Sequence, residues 1–179
     1  MVAISWTSPT VRTTGDLITA AIWNTYLVDN LAWLGAGHHA TVYNNANIGG
    51  PVAGVWSGAI AFNSEYDDTD AFHSPGANTR LTIPAGLGGF YMVSFEATMN
   101  GAAGVTQIGA RIRHSTRGIL SEIRADATPT YRYAIGCQAR AYANAAEYFT
   151  VEITSEGAGV TLEYYAEYSP NFGLVRIGA

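Results

Sequence analysis

Four carboxylates fall between positions 65 and 70 of this 179-residue chain: Glu65, Asp67, Asp68 and Asp70. Several carboxylates on one loop are what a hard cation such as calcium takes as ligands. The spacing is not that of an EF-hand, because no Gly follows Asp70. The competing reading is a solvated acidic loop anchored by Tyr66 and Phe72. His38 and His39 are adjacent, so their side chains diverge, and no carboxylate stands within several residues of them; they make no metal site. Ser74 follows His73 and Ser115 follows His114, but neighbours in sequence are not a triad, which is defined by geometry. The chain has no GxSxG elbow and no glycine-rich phosphate loop. Cys137 is the single cysteine, which rules out an internal disulfide. It falls on the apolar side of an alternating run and reads as a small buried hydrophobe. These residues lead us to expect no enzyme, no cofactor and no resident metal, with calcium at the acidic cluster as the open alternative.

Aromatic side chains are the other chemical signal: eleven Tyr, six Phe and four Trp. Tyr131, Tyr133, Tyr142, Tyr148, Tyr164, Tyr165 and Tyr168 gather in the C-terminal half. Tyrosine suits protein interfaces and sugar stacking alike. Charged residues are only 13% of the chain, about half the usual share. A surface so poor in charge fits a protein that buries part of it in an assembly. The net charge of −5 argues against nucleic-acid binding, which needs a basic face. All nine basic residues are Arg, which fits either a GC-rich genome or a use of Arg in interface ion pairs.

These residues must be positioned by β-structure. Residues 90–99 alternate: Tyr91, Val93, Phe95, Ala97 and Met99 point one way, and Phe90, Met92, Ser94, Glu96 and Thr98 the other. A period of two is the strand signature. The first set is apolar and predicts a core face; the second begins apolar and turns polar, so it is covered over part of its length. Residues 80–83 form a short strand stopped by Pro84. Further strands are expected at 41–44, around Ile60 and Phe62, at 107–114, 131–141, 149–153, 160–168 and 172–177, with loops at 45–58, 116–130 and 144–147. Eight to ten short strands with turns at this spacing predict an all-β sandwich.

The N-terminal segment differs. Residues 1–14 read as a short arm bearing Trp6 and Pro9. Thr19 is a candidate N-cap for a helix over residues 20–34, with Gly35 past its end. Trp23, Leu27, Leu31 and Leu34 form one apolar stripe, and Ile22, Tyr26 and Trp33 a second. A helix apolar on several faces is buried on several faces, against its own sandwich, against copies of itself, or against another protein. The first residues lack the basic start and apolar run of a signal peptide, and no apolar stretch is long enough to cross a membrane. We therefore expect synthesis in the cytoplasm and no membrane partner.

The run EYDDTDAFHSPGANTRLTIP followed by GGFYMVSFEATM resembles the complement globular-head and tumour-necrosis-factor jelly rolls. It is most similar to the versions carried by tailed-phage virion proteins, over residues 38–179. The stretch TGDLITAAIWNTYLVDNLAWL is similar to a segment near the N-terminus of many phage minor virion proteins. The resemblance implies an all-β jelly-roll sandwich at 38–179 that forms a homotrimer. It implies an arm and helix at 1–37 that anchor it to another virion protein, such as a major capsid or tail protein, through Trp6, Pro9, Trp23, Leu27, Leu31, Trp33 and Leu34. It places trimer contacts at Phe90, Met92, Tyr148, Tyr164, Tyr165 and Phe172. The implied function is a capsid decoration or head-fibre-like module of the virion; the alternative is a tail-borne adhesin recognising host glycan through distal loops. Two departures stand out. Ala145, Ala146 and Glu147 replace the family's Gly-Asp turn, and the collagen stalk of the complement proteins is absent, its place taken by the helix.

Overall fold

The computed structural model describes Thr19, Trp23, Asn24 and residues 37–101, 104–127, 132–164 and 170–178. The chain divides into two compact units, Met1–His38 and His39–Ala179. In the first, the Trp23 amide donates to the Thr19 carbonyl at 3.0 Å, the i to i−4 bond of a first helical turn. The rest of the expected helix, with Leu27, Leu31, Trp33 and Leu34, and the arm with Trp6 and Pro9 lie outside the described residues.

The second unit is a β-sandwich. Its strands are β1 (His39–Tyr43), β2 (Ile48–Gly49), β3 (Ser64–Asp68), β4 (Leu81–Thr82), β5 (Gly89–Asn100), β6 (Gln107–His114), β7 (Gly118–Asp126), β8 (Arg132–Ala143), β9 (Tyr148–Glu156), β10 (Thr161–Glu163) and β11 (Asn171–Gly178). One sheet runs β2-β10-β5-β11-β1-β3, with β8 also on β5; the other runs β4-β9-β6-β7. Every strand pair is antiparallel. β5 is the hub of the first sheet. Its whole length pairs with β8, Gly89 opposite Ala143 through Asn100 opposite Arg132. Its other edge is shared, with β11 along Phe90 to Glu96 and β10 along Thr98 to Asn100.

The alternation of β5 is realised without slippage. Tyr91, Val93, Phe95, Ala97 and Met99 are buried, as are Ile135, Cys137, Ala139 and Ala141 of β8 and Phe172 and Leu174 of β11. The second sheet meets them with Ile108, Ala110 and Ile112 of β6 and Phe149, Val151 and Ile153 of β9. Ring contacts cross the sandwich: Phe62 lies 5.5 Å from Phe172, and Tyr91 lies 6.3 Å from Phe149. Each large apolar side chain buried this way contributes roughly 1.5–3 kcal/mol. The Tyr91 hydroxyl donates to the Leu87 carbonyl, and burial pushes its phenol up to about 12.

Three sequence expectations need correction. Ile60 and Phe62 are buried but form no strand. Their amides go to different partners, Val151 and Asn78, so no continuous ladder forms. Residues 118–126, expected within a loop, are strand β7, paired along β6. The acidic cluster is not a loop: Glu65, Asp67 and Asp68 belong to β3, at the edge of the first sheet beside β1.

Candidate interaction surface

The outer face of the first sheet carries the side chains opposite the core. On β5 these are Phe90, Met92, Ser94, Glu96 and Thr98; the register sets Tyr142, Arg140, Gln138, Gly136 and Ala134 of β8 beside them in that order. β11 adds Val175 opposite Met92 and Gly173 opposite Ser94, and β1 adds His39 opposite Val175 and Thr41 opposite Gly173. The face is therefore graded. One end is apolar: Phe90, Met92 and Val175 keep 37–41% of their surface exposed, and Ile177, exposed too, falls where the β11 register shifts. The Phe90 ring meets Tyr142 edge-on at 5.3 Å, and the Arg140 guanidinium lies 5.1 Å from its centre. The far end is polar. There the Glu163 carboxylate accepts from Asn100 at 2.8 Å and from Arg132 at 2.7 Å.

Between the two ends lies a groove lined by His39, Thr41, Met92, Ser94, Gln138, Gly173 and Val175. Its floor is low because Gly173 has no side chain. A Cβ there would stand 3.2 Å from the Ala40 carbonyl oxygen and 3.3 Å from the Thr41 hydroxyl. The β1–β3 edge bounds the face. There Tyr66 stacks on Tyr43 at 4.3 Å, and the His39 Nε2 meets the Asp67 carboxylate.

Of the sequence-predicted contact residues, the structure brings together Phe90 and Met92. Phe172 is fully buried against Phe62, so its side chain is closed to a neighbouring protomer. On β11 the even positions Phe172 and Leu174 face inward and Val175 faces out. Tyr148 is on the second sheet, where the Arg80 guanidinium covers its ring at 4.7 Å. Tyr164 is exposed just past β10, its amide held by Asn47 Oδ1 at 2.8 Å. Tyr165 lies outside the described residues, and Trp23 is exposed. Val175, which opens onto this face, was not singled out from the sequence. The signal was present: in NFGLVRI apolar residues occupy both parities, which marks a strand covered on two faces.

The acidic cluster is spent on separate partners. Asp68 accepts from the amides of Phe72 at 2.9 Å and His73 at 2.8 Å. Glu65 Oε1 meets His73 Nδ1 at 2.6 Å, and Asp67 meets His39. Among the described residues no three His, Cys, Asp or Glu side chains are placed to hold a metal ion. Cys137 is buried, and burial pushes its thiol up to about 11.

The second sheet's outer face is an ionic ladder. Glu152 accepts from both Arg111 and Arg113. Trp56 lies over this face, with the Arg111 and Arg124 guanidiniums 4.1 and 5.3 Å from its ring centre. Its segment is tied down by bonds from Gly54 N to the Ser155 carbonyl and from Ser57 N to the Ile153 carbonyl, both 2.7 Å. At the edge of this sheet, β7, which also packs against β8, exposes Ile119 and Ile123.

No family model matches the sequence, and no curated protein matches it. Among solved structures the chain is similar to the Eiger TNF from S. frugiperda, at a TM-score of 0.53 and 10% identity, over 79% of this chain and 92% of that one. The second unit thus has a tumour-necrosis-factor-like jelly-roll fold, as the sequence led us to expect.

Proposed function

We propose that the chain is a homotrimeric structural module of a tailed-phage particle, a capsid decoration or head-fibre-like protein assembled in the host cytoplasm. The observation that carries the trimer is the outer face of the first sheet, where Phe90, Met92 and Val175 lie open near one another. Contiguous exposed apolar surface marks an interaction site. A closed ring of three needs a heterologous contact, in which two different patches of each protomer meet. The apolar end of this face and the β7 edge with Ile119 and Ile123 supply the two halves. The low charge fraction and the compact fold similar to a TNF support the same reading. The particle assignment rests on the resemblance of the N-terminal segment to phage minor virion proteins, and the arm and helix are its anchor to a capsid or tail protein. The reading includes no catalysis, no cofactor, no nucleic acid and no membrane.

Light scattering on the full chain at micromolar concentration is expected to give three times the monomer mass. A monomer at every concentration overturns the trimer. Particles made without residues 1–34 of the chain are expected to lack the protein; normal incorporation overturns the anchor. One feature favours the adhesin reading instead. Tyr66 is exposed and backed by Tyr43, the kind of ring on which a sugar stacks. Binding of the isolated trimer to host cells, lost in Tyr66→Ala with the fold intact, would establish the adhesin.

A further inference from the structure

Two opposite charges on the outer face of the first sheet have no ionic partner among the described residues. Glu96 points outward from β5 and is exposed, and no cation or donor bonds its carboxylate. Arg140 points outward from β8 and is exposed. Its guanidinium lies 5.1 Å from the centre of the Phe90 ring, and no carboxylate pairs with it. The register sets Arg140 opposite Met92 and Gly136 opposite Glu96. The two charges therefore stand roughly 13 Å apart along the strands, at ~3.3 Å per residue, and do not meet within one protomer.

Beside Glu96 the face carries a recess lined by Thr98, Ala134 and Gly136. Gly136 keeps it open: a Cβ there would stand 3.0 Å from the Phe95 carbonyl oxygen and 3.3 Å from Glu96 Cγ. A floor of Ala and Gly next to a carboxylate suits an arginine, whose stem is apolar and whose guanidinium is planar. Most arginines of the sandwich are committed elsewhere. Those of β6 and β7 are held by Glu152 and Glu122, and Arg132 by Glu163. Arg117 also lacks a carboxylate, but it stands on the β6–β7 turn of the other sheet.

A copy seated on this face removes water from both charges. A buried charge without a partner is costly, so the contact must bring a cation to Glu96 and an anion to Arg140. In a contact between identical chains each supplies what the other lacks. The placement also fits a heterologous ring. Arg140 is on β8, which pairs with β5 alone and packs beside the β7 edge, whereas Glu96 is on β5, inside the face. The cation thus belongs to the edge half of the contact and the anion to the face half.

We infer that Arg140 of each protomer enters the recess at Gly136 of the next and pairs with Glu96 there, giving three identical ion pairs around the ring. This rests on the trimer reading and names the residues by which one copy recognises another.

Sedimentation equilibrium of the full chain reads the trimerisation constant. Glu96→Arg and Arg140→Glu each set like charges against one another and are expected to weaken the trimer at least ~10-fold, with the melting of the protomer unchanged. The double variant restores the pair with its ends exchanged and is expected to return to within ~3-fold of the wild type. If circular dichroism shows a charge-reversed variant to be misfolded, the neutral cycle carries the test: Glu96→Gln with Arg140→Gln is expected to lose no more than either change alone. A folded single variant with an unchanged trimer overturns the pair while leaving the trimer standing. Losses that simply add in the double variant overturn the pairing of these two residues. Rescue of Glu96→Arg by Arg117→Glu, and not by Arg140→Glu, overturns the assignment to Arg140. A wild-type monomer at every concentration overturns the trimer reading and the pair together.

Discussion

Asp68 does at one position what a longer loop would otherwise need several groups to do. Its carboxylate holds the amides of Phe72 and His73, and just before them Ala71 sits in the left-handed region at φ 61°. Asp68→Ala leaves two partly buried donors unpaired and is expected to cost about 2–4 kcal/mol in a urea titration; Asp68→Asn, which keeps one acceptor, is expected to cost less. Ala146 also occupies the left-handed region, at φ 67°, in the turn where the sequence departs from the Gly-Asp pattern. The turn survives because the Asn144 amide donates to Glu147 Oε2 at 2.6 Å and the Ala146 amide to the Ile83 carbonyl at 2.8 Å. Ala146→Gly removes the steric cost of that φ and is expected to stabilise the fold by about 0.5–1 kcal/mol. His114 answers to pH. Its Nδ1 accepts from the Thr116 amide at 3.2 Å, and burial, aided by Arg117 and opposed by Glu147, holds it below the usual imidazole range. The unfolded chain therefore binds the proton more readily than the folded one. The stability from neutral His114 is present above the unfolded value near ~6.5 and lost as pH falls from there through the folded value. Thermal melts are expected to drop over that interval, and less so in His114→Asn.

Elements were legible where the alternation was strict. β5 has all five inward residues buried and its outward residues open or half-open, because a sheet face packed on a core tolerates no one-residue slip. Phe95→Ala is expected to cost about 3–5 kcal/mol and Glu96→Ala far less; equal shifts in the melting curve would mean the facing is wrong. β7 was not legible. Its residues GILSEIRAD form an edge strand with no fully buried residue, so the core imposed little alternation for the sequence to show. β3 was hidden for a related reason. Its acidic side chains serve turn amides and imidazoles, contacts made by residues such as His39, 28 positions away from Asp67, which local pattern cannot show. The candidate face was half legible. Phe90 and Met92 follow from the outward parity of β5, whereas Val175 required knowing which side of β11 meets the core. Phe172 shows that being aromatic and C-terminal does not make a residue an interface residue, since its parity places it inside.

At the scale of the molecule, one substitution separates folding from assembly. Met92 is on the outer face, away from the core, so Met92→Asp is expected to leave the melting of the protomer within about 0.5 kcal/mol. The same change puts an unpaired charge into the proposed contact and is expected to weaken trimerisation at least ~100-fold by sedimentation, with Ile123→Asp on the β7 edge acting likewise; trimers of unchanged strength would remove these residues from the contact. The pairing of β1 with β11, His39 opposite Val175 and Tyr43 opposite Asn171, has a further consequence. The first and last strands of the sandwich are neighbours in one sheet, and the last also lies between the first and the hub strand β5. On the ribosome, β1 has no partner on that side until β11 emerges. The outer face with Val175 then forms in a single late step, once β11 has been made. Pairings this distant in sequence close slowly, on the millisecond-to-second scale, and the waiting β1 and β5 edges are what a nascent chain must keep from mispairing with its neighbours. A circular permutant that joins the two ends of the sandwich and opens the chain at the Thr116–Arg117 turn would make β1 and β11 a local hairpin, and it is expected to refold faster than the natural order.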